Sequence, residues 1–256
     1  MADIVLALLA HPDDAEFLCA GTLARLGRER GWHVHVATMT AGDCGSAALL
    51  ADEISRVRRA EAAAAAAIID ARYNCLEERD LLVCYNERTL ESATRLLRQV
   101  RPRIVLTHSP ADYLLDHEMT NMVVRAAAFA APVPNFRADA DLPPLSAVPH
   151  LYYCDAIEGK DALGNAVEPA FRIDISAVID LKTQMLSRHA SQRDWLLRQH
   201  GIDQYLKAMR DWAAQHGRAC GVAYAEGFRQ HLGHGYPQSN LLVELLGRPR
   251  TGVRGL

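Results

Sequence analysis

The sequence predicts an α/β protein built on a doubly wound, mostly parallel sheet. Apolar runs short enough to be strands alternate with helix-patterned stretches through the first half of the chain. The run Ile4–Leu9 is apolar without interruption, the pattern of a strand covered on both faces, and Ile104–Thr107 reads as another buried strand. Half of the 256 residues are hydrophobic, enough for the core of one large domain spanning 1–256.

After the first strand, residues 22–30 read as a helix stopped by Gly31, and 33–39 as a second strand leading into the loop 40–46. Residues 52–69 form a long helix pattern. Its six consecutive alanines, 62–67, are strong helix formers small enough for close packing on a sheet. A short apolar run at 81–84 is the candidate third strand, Glu87–Val100 the next helix, and Ile104–Thr107 the fourth strand, set off by Arg101-Pro102. Helix patterning resumes over 117–130, and proline-rich loop fills 131–136 and 139–149. Strands at 151–154 and 171–175 and helices at 177–192 and 203–215 follow, before a tail with no clear pattern. If the strand order is 3-2-1-4-5, strands one and four are neighbours where the order reverses, and ligands bind beyond their carboxyl ends.

Lys and Arg total 28 against 31 Asp and Glu, a formal charge of -3, which gives no footprint for a nucleic-acid or acidic-membrane partner. The apolar start lacks a basic n-region, and no run approaches the roughly 20 residues of a membrane helix. Six cysteines without a C-x-x-C pair read as reduced thiols, so a cytoplasmic protein is expected. No G-x-G-x-x-G follows strand one, which ends instead in acidic residues that repel a pyrophosphate, and no G-x-S-x-G is present.

The two most polar short motifs fall at the ends of strands one and four. They are His11-Pro-Asp-Asp-Ala-Glu16 and Asp112-Tyr-Leu-Leu-Asp-His117. A hydrolytic zinc site needs three imidazole or carboxylate ligands and one open position. His11, Asp14 and His117 supply that set, one zinc per chain. Asp13 is placed to take a proton from water, and Asp116 to orient an imidazole by accepting its N–H. The bland reading of His-Pro-Asp-Asp is a helix-capping loop. His33 and His35 share a face of strand two and read as packed histidines, and His231-Leu-Gly-His234 is a weak metal spacing.

Ala10-His-Pro-Asp-Asp-Ala-Glu16 resembles the opening motif of the PIG-L (LmbE-like) N-acetylglucosaminyl deacetylases, a family of Rossmann-like, three-layer fold. Thr40-Ala-Gly-Asp43 is similar to the family's T-x-G-E loop, with Asp for Glu. Arg58-Arg-Ala-Glu61 is similar to its R-x-x-E, and Asp116-His117 to its D-H. The resemblance implies zinc held by His11, Asp14 and His117, Asp13 as general base, and Arg58 holding substrate or product acetate. A solvated Arg58 paired with Glu61 or Asp52 is the structural alternative. Asp174-Ile-Ser176, Lys182, His189-Ala-Ser-Gln192 and Tyr224-Ala-Glu-Gly-Phe228 resemble weaker family patterns, read as architectural.

One departure stands out. The family reads H-P-D-H at the second motif, with its first histidine stabilising the oxyanion, whereas this chain has Leu114 there. Losing one such donor costs about 10²–10³ in rate where nothing replaces it. Candidates to replace it are His108, Tyr113, His231 and His234, of which His108 and Tyr113 are taken as substrate contacts along with Arg58. The expected function is removal of an N-acetyl or other N-acyl group from a small-molecule amino sugar or glycoconjugate. The alternatives are a zinc amidohydrolase acting on a non-sugar metabolite, or a metal-binding regulatory protein without turnover. The resemblance also permits a homo-oligomer.

Overall fold

A computed structural model describes residues 3–136, 141–200 and 204–248. Its strands are β1 (Ile4–Leu9), β2 (His33–Thr40), β3 (Arg72–Glu78), β4 (Ile104–Thr107), β5 (His150–Cys154), β6 (Phe171–Asp174) and β7 (Ala225–Gln230). They form one sheet in the order β3-β2-β1-β4-β5-β7-β6. The first five strands are parallel, in the 3-2-1-4-5 order the sequence predicts, and β7 runs antiparallel between β5 and β6. The helices are α1 (Asp14–Leu18), α2 (Ala20–Arg30), α3 (Ala51–Ala67), α4 (Glu87–Val100), α5 (Leu115–Ala130), α6 (Ile179–Leu186), α7 (Ala190–His200), α8 (Tyr205–Cys220) and α9 (Leu241–Leu246). None of the described helices is long and apolar enough to cross a membrane.

Strand alternation divides β1 between two cores. Val5, Ala7 and Leu9 face one that includes Leu23 and Leu26 of α2, Ile179 and Met185 of α6 and Met209 of α8. Leu6 and Leu8 face the other, with Leu96 and Leu97 of α4 and Val123 and Val124 of α5. Both faces of β1 therefore demand apolar residues, which is why its sequence shows no polar alternation. The alanine run of α3 turns Ala62, Ala65 and Ala66 inward while Ala63, Ala64 and Ala67 face solvent. Gly31 ends α2 in the left-handed conformation (φ 66°), its N–H donating to the Gly27 carbonyl.

Several expected elements are corrected. The third strand is Arg72–Glu78, not 81–84. As the sheet edge it is mostly half-buried, so its sequence carries Arg72, Asn74 and Glu77 instead of an apolar run. Leu81 and Leu82 are exposed loop residues, Leu81 with φ 66°. The helix expected at 177–192 is broken at 187–189 into α6 and α7. The one expected at 203–215 is α8, which runs on to Cys220, and residue 203 lies outside the described residues, as do 139 and 140 of the expected loop.

The tail left without a pattern contains β7, whose sequence hides a buried acid. Glu226 is 2% exposed and accepts from Lys182 Nζ at 2.6 Å and from the Gly21 and Thr22 N–H groups at 2.8 and 2.7 Å. It thus satisfies free donors at the start of α2 and neutralises a buried lysine of α6. A Cβ at Gly21 would lie 2.7 Å from Ile175 Cγ2, so glycine is what lets α2 approach this closely. Removing one partner of a buried pair leaves the other charge unmatched. Glu226→Ala is therefore expected to cost about 3–5 kcal/mol in denaturant unfolding, whereas an exposed ion-pair variant such as Lys207→Ala changes stability by less than about 1 kcal/mol.

Candidate active site

Because β1 and β4 are adjacent and parallel, the turns that leave them open on the same sheet edge. The first turn carries Asp13 at φ 100°, a left-handed position that aspartate tolerates better than most residues, and enters α1 at Asp14. The second carries Asp112 and enters α5, which places His117 in its first turn. Ligand atoms of His11, Asp14 and His117 lie within 4.8 Å of one another. The three residues line a cavity of about 760 Å³ together with Asp13, Arg58, Asp80, Tyr113, Leu114, Glu158 and Tyr205, among others.

Each imidazole is oriented by a carboxylate behind it. His11 Nε2 is 3.3 Å from Asp116 Oδ2, which also accepts the Leu81 N–H at 2.6 Å. His117 Nδ1 is 3.0 Å from Asp112 Oδ1, leaving its Nε2 facing Asp14 Oδ1 at 3.6 Å. This is how ligand imidazoles are held around a divalent ion, with the remote nitrogen bonded to a carboxylate. A second trio, His108, Asp112 and His117, also has converging donor atoms, but His108 and Asp112 are fully buried and away from the cavity. Asp43, Cys44 and Asp80 converge as well. There the carboxylates bind backbone: Asp43 accepts the Asp80 N–H at 2.7 Å and Asp80 the Cys44 N–H at 3.0 Å, joining two loops.

Burial and close opposite charges shift the protonation of His11, Asp14 and their neighbour Asp13. Burial opposes a charge on His11, but Asp116 and Asp14 outweigh it and push the imidazole up to about 10. Asp14 is held well below the usual carboxylate range, because the charge of His117 and the hydrogen bonds of His108 and His11 overcome its burial. Asp13 goes the other way: burial, with the neighbouring Asp14 charge, raises it despite Arg58 and Tyr205.

The remaining expected site residues separate clearly. Arg58, in α3, is 4% exposed and donates from Nη2 to the Pro12 carbonyl at 2.7 Å, with Asp13 Oδ1 at 3.4 Å. It does not pair with Glu61, which accepts from the Ser191 N–H and hydroxyl at 2.9 and 2.6 Å at the start of α7. Gly42 and Gly45 make room for the guanidinium: a Cβ on either would lie 2.3 or 2.6 Å from Nη1. Tyr113 lines the cavity, edge-on to His117 with ring centroids 5.8 Å apart; it is 59% exposed, and a phenol of ordinary pKa, about 10, is already a donor at neutral pH.

His108 corrects the expectation of a substrate contact. It is fully buried and absent from the cavity wall, stacked on His117 at 3.9 Å with Nε2 3.1 Å from Asp14 Oδ2. Burial, reinforced by His117, lowers it to about 4, so it sits behind His117 and Asp14 as a neutral ring. His231 is bonded to the Tyr153 hydroxyl at 2.7 Å, and neither it nor His234 lines the cavity. His33 and His35 sit at the opposite end of β2, away from it.

Of three further cavity residues, Tyr205 and Asp80 had no sequence signal of their own, and Gln192 stood in a pattern read as architectural. Tyr205, the first residue of α8, donates its hydroxyl to Asp13 Oδ2. Gln192 of α7 has its Oε1 buried without a partner. Asp80 follows β3, where the misplaced strand concealed it. Asp112 stood inside the quoted second motif, and its role as the orienter of His117 shows only in three dimensions.

The His11 shift sets a pH dependence. A group whose pKa rises on folding stabilises the native state fully below its unfolded value, about 6.5, and that contribution is lost as pH climbs through the folded value. The metal-free protein is expected to lose thermal stability between pH 7 and about 10. The slope should be shallower in Asp116→Asn, as read by melting curves across that range.

Residues 6–128 match the family model PIG-L, described as GlcNAc-PI de-N-acetylase, in line with the resemblance read from the motifs. A 1D-myo-inositol 2-acetamido-2-deoxy-alpha-D-glucopyranoside deacetylase of Rhodococcus erythropolis is 25% identical, over 73% of this chain and 80% of its own. A 4-oxalmesaconate hydratase of Pseudomonas putida is 26% identical, over 88% of this chain and 87% of its own. Among solved structures, the N,N'-diacetylchitobiose deacetylase of Pyrococcus horikoshii, bound to its inhibitor MPG, superposes with a TM-score of 0.77. It is 25% identical, over 93% of this chain and 88% of that one.

Proposed function

We propose that this chain, whose residues 6–128 match the PIG-L family, is a zinc-dependent hydrolase that removes an N-acetyl or other N-acyl group from an amino sugar or its conjugate. The observation that carries the reading is the convergence of His11, Asp14 and His117 on the wall of a cavity that also holds Asp13. Two imidazoles and a carboxylate with oriented remote nitrogens suit one zinc per chain, and the His11 environment favours positive charge at that point. Zinc held there supplies a Lewis acid and brings the pKa of water down to about 7.

The chain's own groups do the rest. Asp13 takes a proton from the attacking water on a carboxylate oxygen and returns it to the leaving nitrogen, and its raised pKa suits both transfers. Arg58, fixed by the Pro12 carbonyl and cradled by Gly42 and Gly45, holds the acyl end and the carboxylate it becomes. Leu114 lines the cavity without a donor. Tyr113, beside it and protonated at neutral pH, is the group we assign to steady the substrate there. Asp116 and Asp112 hold the two imidazoles and touch no substrate in this scheme. His108 supports the ligands from behind.

The similarity to a hydratase raises a second reading, addition of water to an unsaturated carboxylate. The cavity wall argues against it. Among its described lining residues Arg58 is the one arginine, and its Nη2 is already committed to the Pro12 carbonyl, so a tricarboxylate would find little beyond the metal site to pair with.

The decisive experiment is an assay of amine release from N-acetylated amino sugars beside an assay of double-bond loss in an unsaturated tricarboxylate. The first reaction is expected and the second is not. Asp13→Asn is expected to lower kcat by about 10²–10⁴ while retaining zinc, and His117→Ala to lose zinc as read by elemental analysis. Unchanged activity in the Asp13 variant removes the general base, and full occupancy without His117 removes the ligand set. Because His11 must shed its proton to ligate, zinc affinity should rise up to about tenfold per pH unit below pH 10, measured by competition with a chromophoric chelator.

A further inference from the structure

We infer that Tyr205 is the positioning residue of Asp13, fixing through its hydroxyl which carboxylate oxygen faces the reacting water. The inference rests on the hydrolase reading above and adds to it a residue that neither motif contains.

Asp13 has few restraints of its own. Its backbone is left-handed at φ 100°, and its carboxylate makes no capping bond to the helix that follows. Among the described residues, two side chains hydrogen-bond to it. Arg58 Nη2 stands 3.4 Å from Oδ1, a long contact, because the same nitrogen is committed to the Pro12 carbonyl at 2.7 Å. The Tyr205 hydroxyl makes the tighter bond, on Oδ2. A carboxylate tethered at one oxygen cannot turn freely about its Cβ–Cγ bond, so Oδ1 is left as the proton acceptor on the side of Arg58.

Tyr205 is suited to this task. It is 8% exposed and packs in the core with α6 and α8, so the ring that carries the hydroxyl is itself fixed. An aromatic side chain loses little conformational freedom when held this way. Burial and the Asp13 charge raise its phenol well above the ordinary value, which keeps it a donor across the neutral range. Its placement at the first residue of α8, also on the cavity wall, ties the C-terminal helices to the chemistry at the end of β1. A general base displaced by even 1 Å can forfeit about 10²-fold in rate.

The test separates the hydroxyl from the ring. Tyr205→Phe is expected to lower kcat by about 10–100-fold, with KM within about twofold and zinc content and melting temperature unchanged. Tyr205→Ala should show the same kcat loss with a lower melting temperature. Wild-type kcat in Tyr205→Phe, with a defect only in Tyr205→Ala, would assign Tyr205 to packing and overturn the inference. So would a loss confined to KM. A readout that needs no substrate is the carboxyl ¹³C resonance of Asp13 in zinc-loaded protein, which should move in Tyr205→Phe, and a stationary resonance also overturns the inference. Failure of wild-type protein to release any amine, with that resonance shifted as expected, strikes the hydrolase reading and leaves the Tyr205–Asp13 pairing standing.

Discussion

Adjacent carboxylates at the mouth of a parallel sheet repel one another, and the arrangement of this protein follows from how that repulsion is relieved. Asp13 and Asp14 leave β1 together. Asp14 is surrounded by three histidine rings and Asp13 by a guanidinium and a phenol. Two neighbours in sequence thereby acquire opposite tendencies, one held ionised and the other raised toward protonation. The ligand and base roles proposed for them follow from one turn of chain. The β1–β4 pairing makes this feasible, since a ring from the start of α5 reaches Asp14 only if those strands lie side by side.

The C-terminal half supplies restraint. Glu61 caps α7, Glu226 caps α2 while neutralising Lys182, and His189 lies fully buried 3.4 Å from Glu16 of the opening motif. Apart from the Glu226–Lys182 pair, these contacts join segments more than a hundred residues apart, and together they hold the helices around the cavity. Charge is thus gathered twice: at the sheet edge around the cavity, and behind it to lock helices in place.

Much of this was legible in the sequence, for identifiable reasons. The central strands are covered on both sides, so their apolar runs announced themselves, and the two polar motifs stood out because they interrupted those runs. The edge strand at 72–78 was missed because a half-buried strand tolerates Arg, Asn and Glu. The loop after it then borrowed the strand's place on the strength of Leu81 and Leu82, which are exposed beside the cavity. β7 was illegible because its key residue is a buried acid, and burial of a charge is invisible until its partners are known. His108 looked like a pocket residue because it ends β4, but it turns behind the ligands. Tyr205 carried no spacing at all, and only folding brings it across 192 positions to Asp13.

The place of β7 bears on how the chain is made. β5 and β6 do not pair with each other; each pairs with a strand that leaves the ribosome after both. During vectorial synthesis the strands that frame the two polar turns are available early, while the far edge of the sheet waits for residues 225–230 to slot between two exposed neighbours. Until then β5 presents an unsatisfied edge, the kind of surface on which nascent chains associate wrongly. The last-made strand is thus the one that closes the sheet, joining β5 to β6.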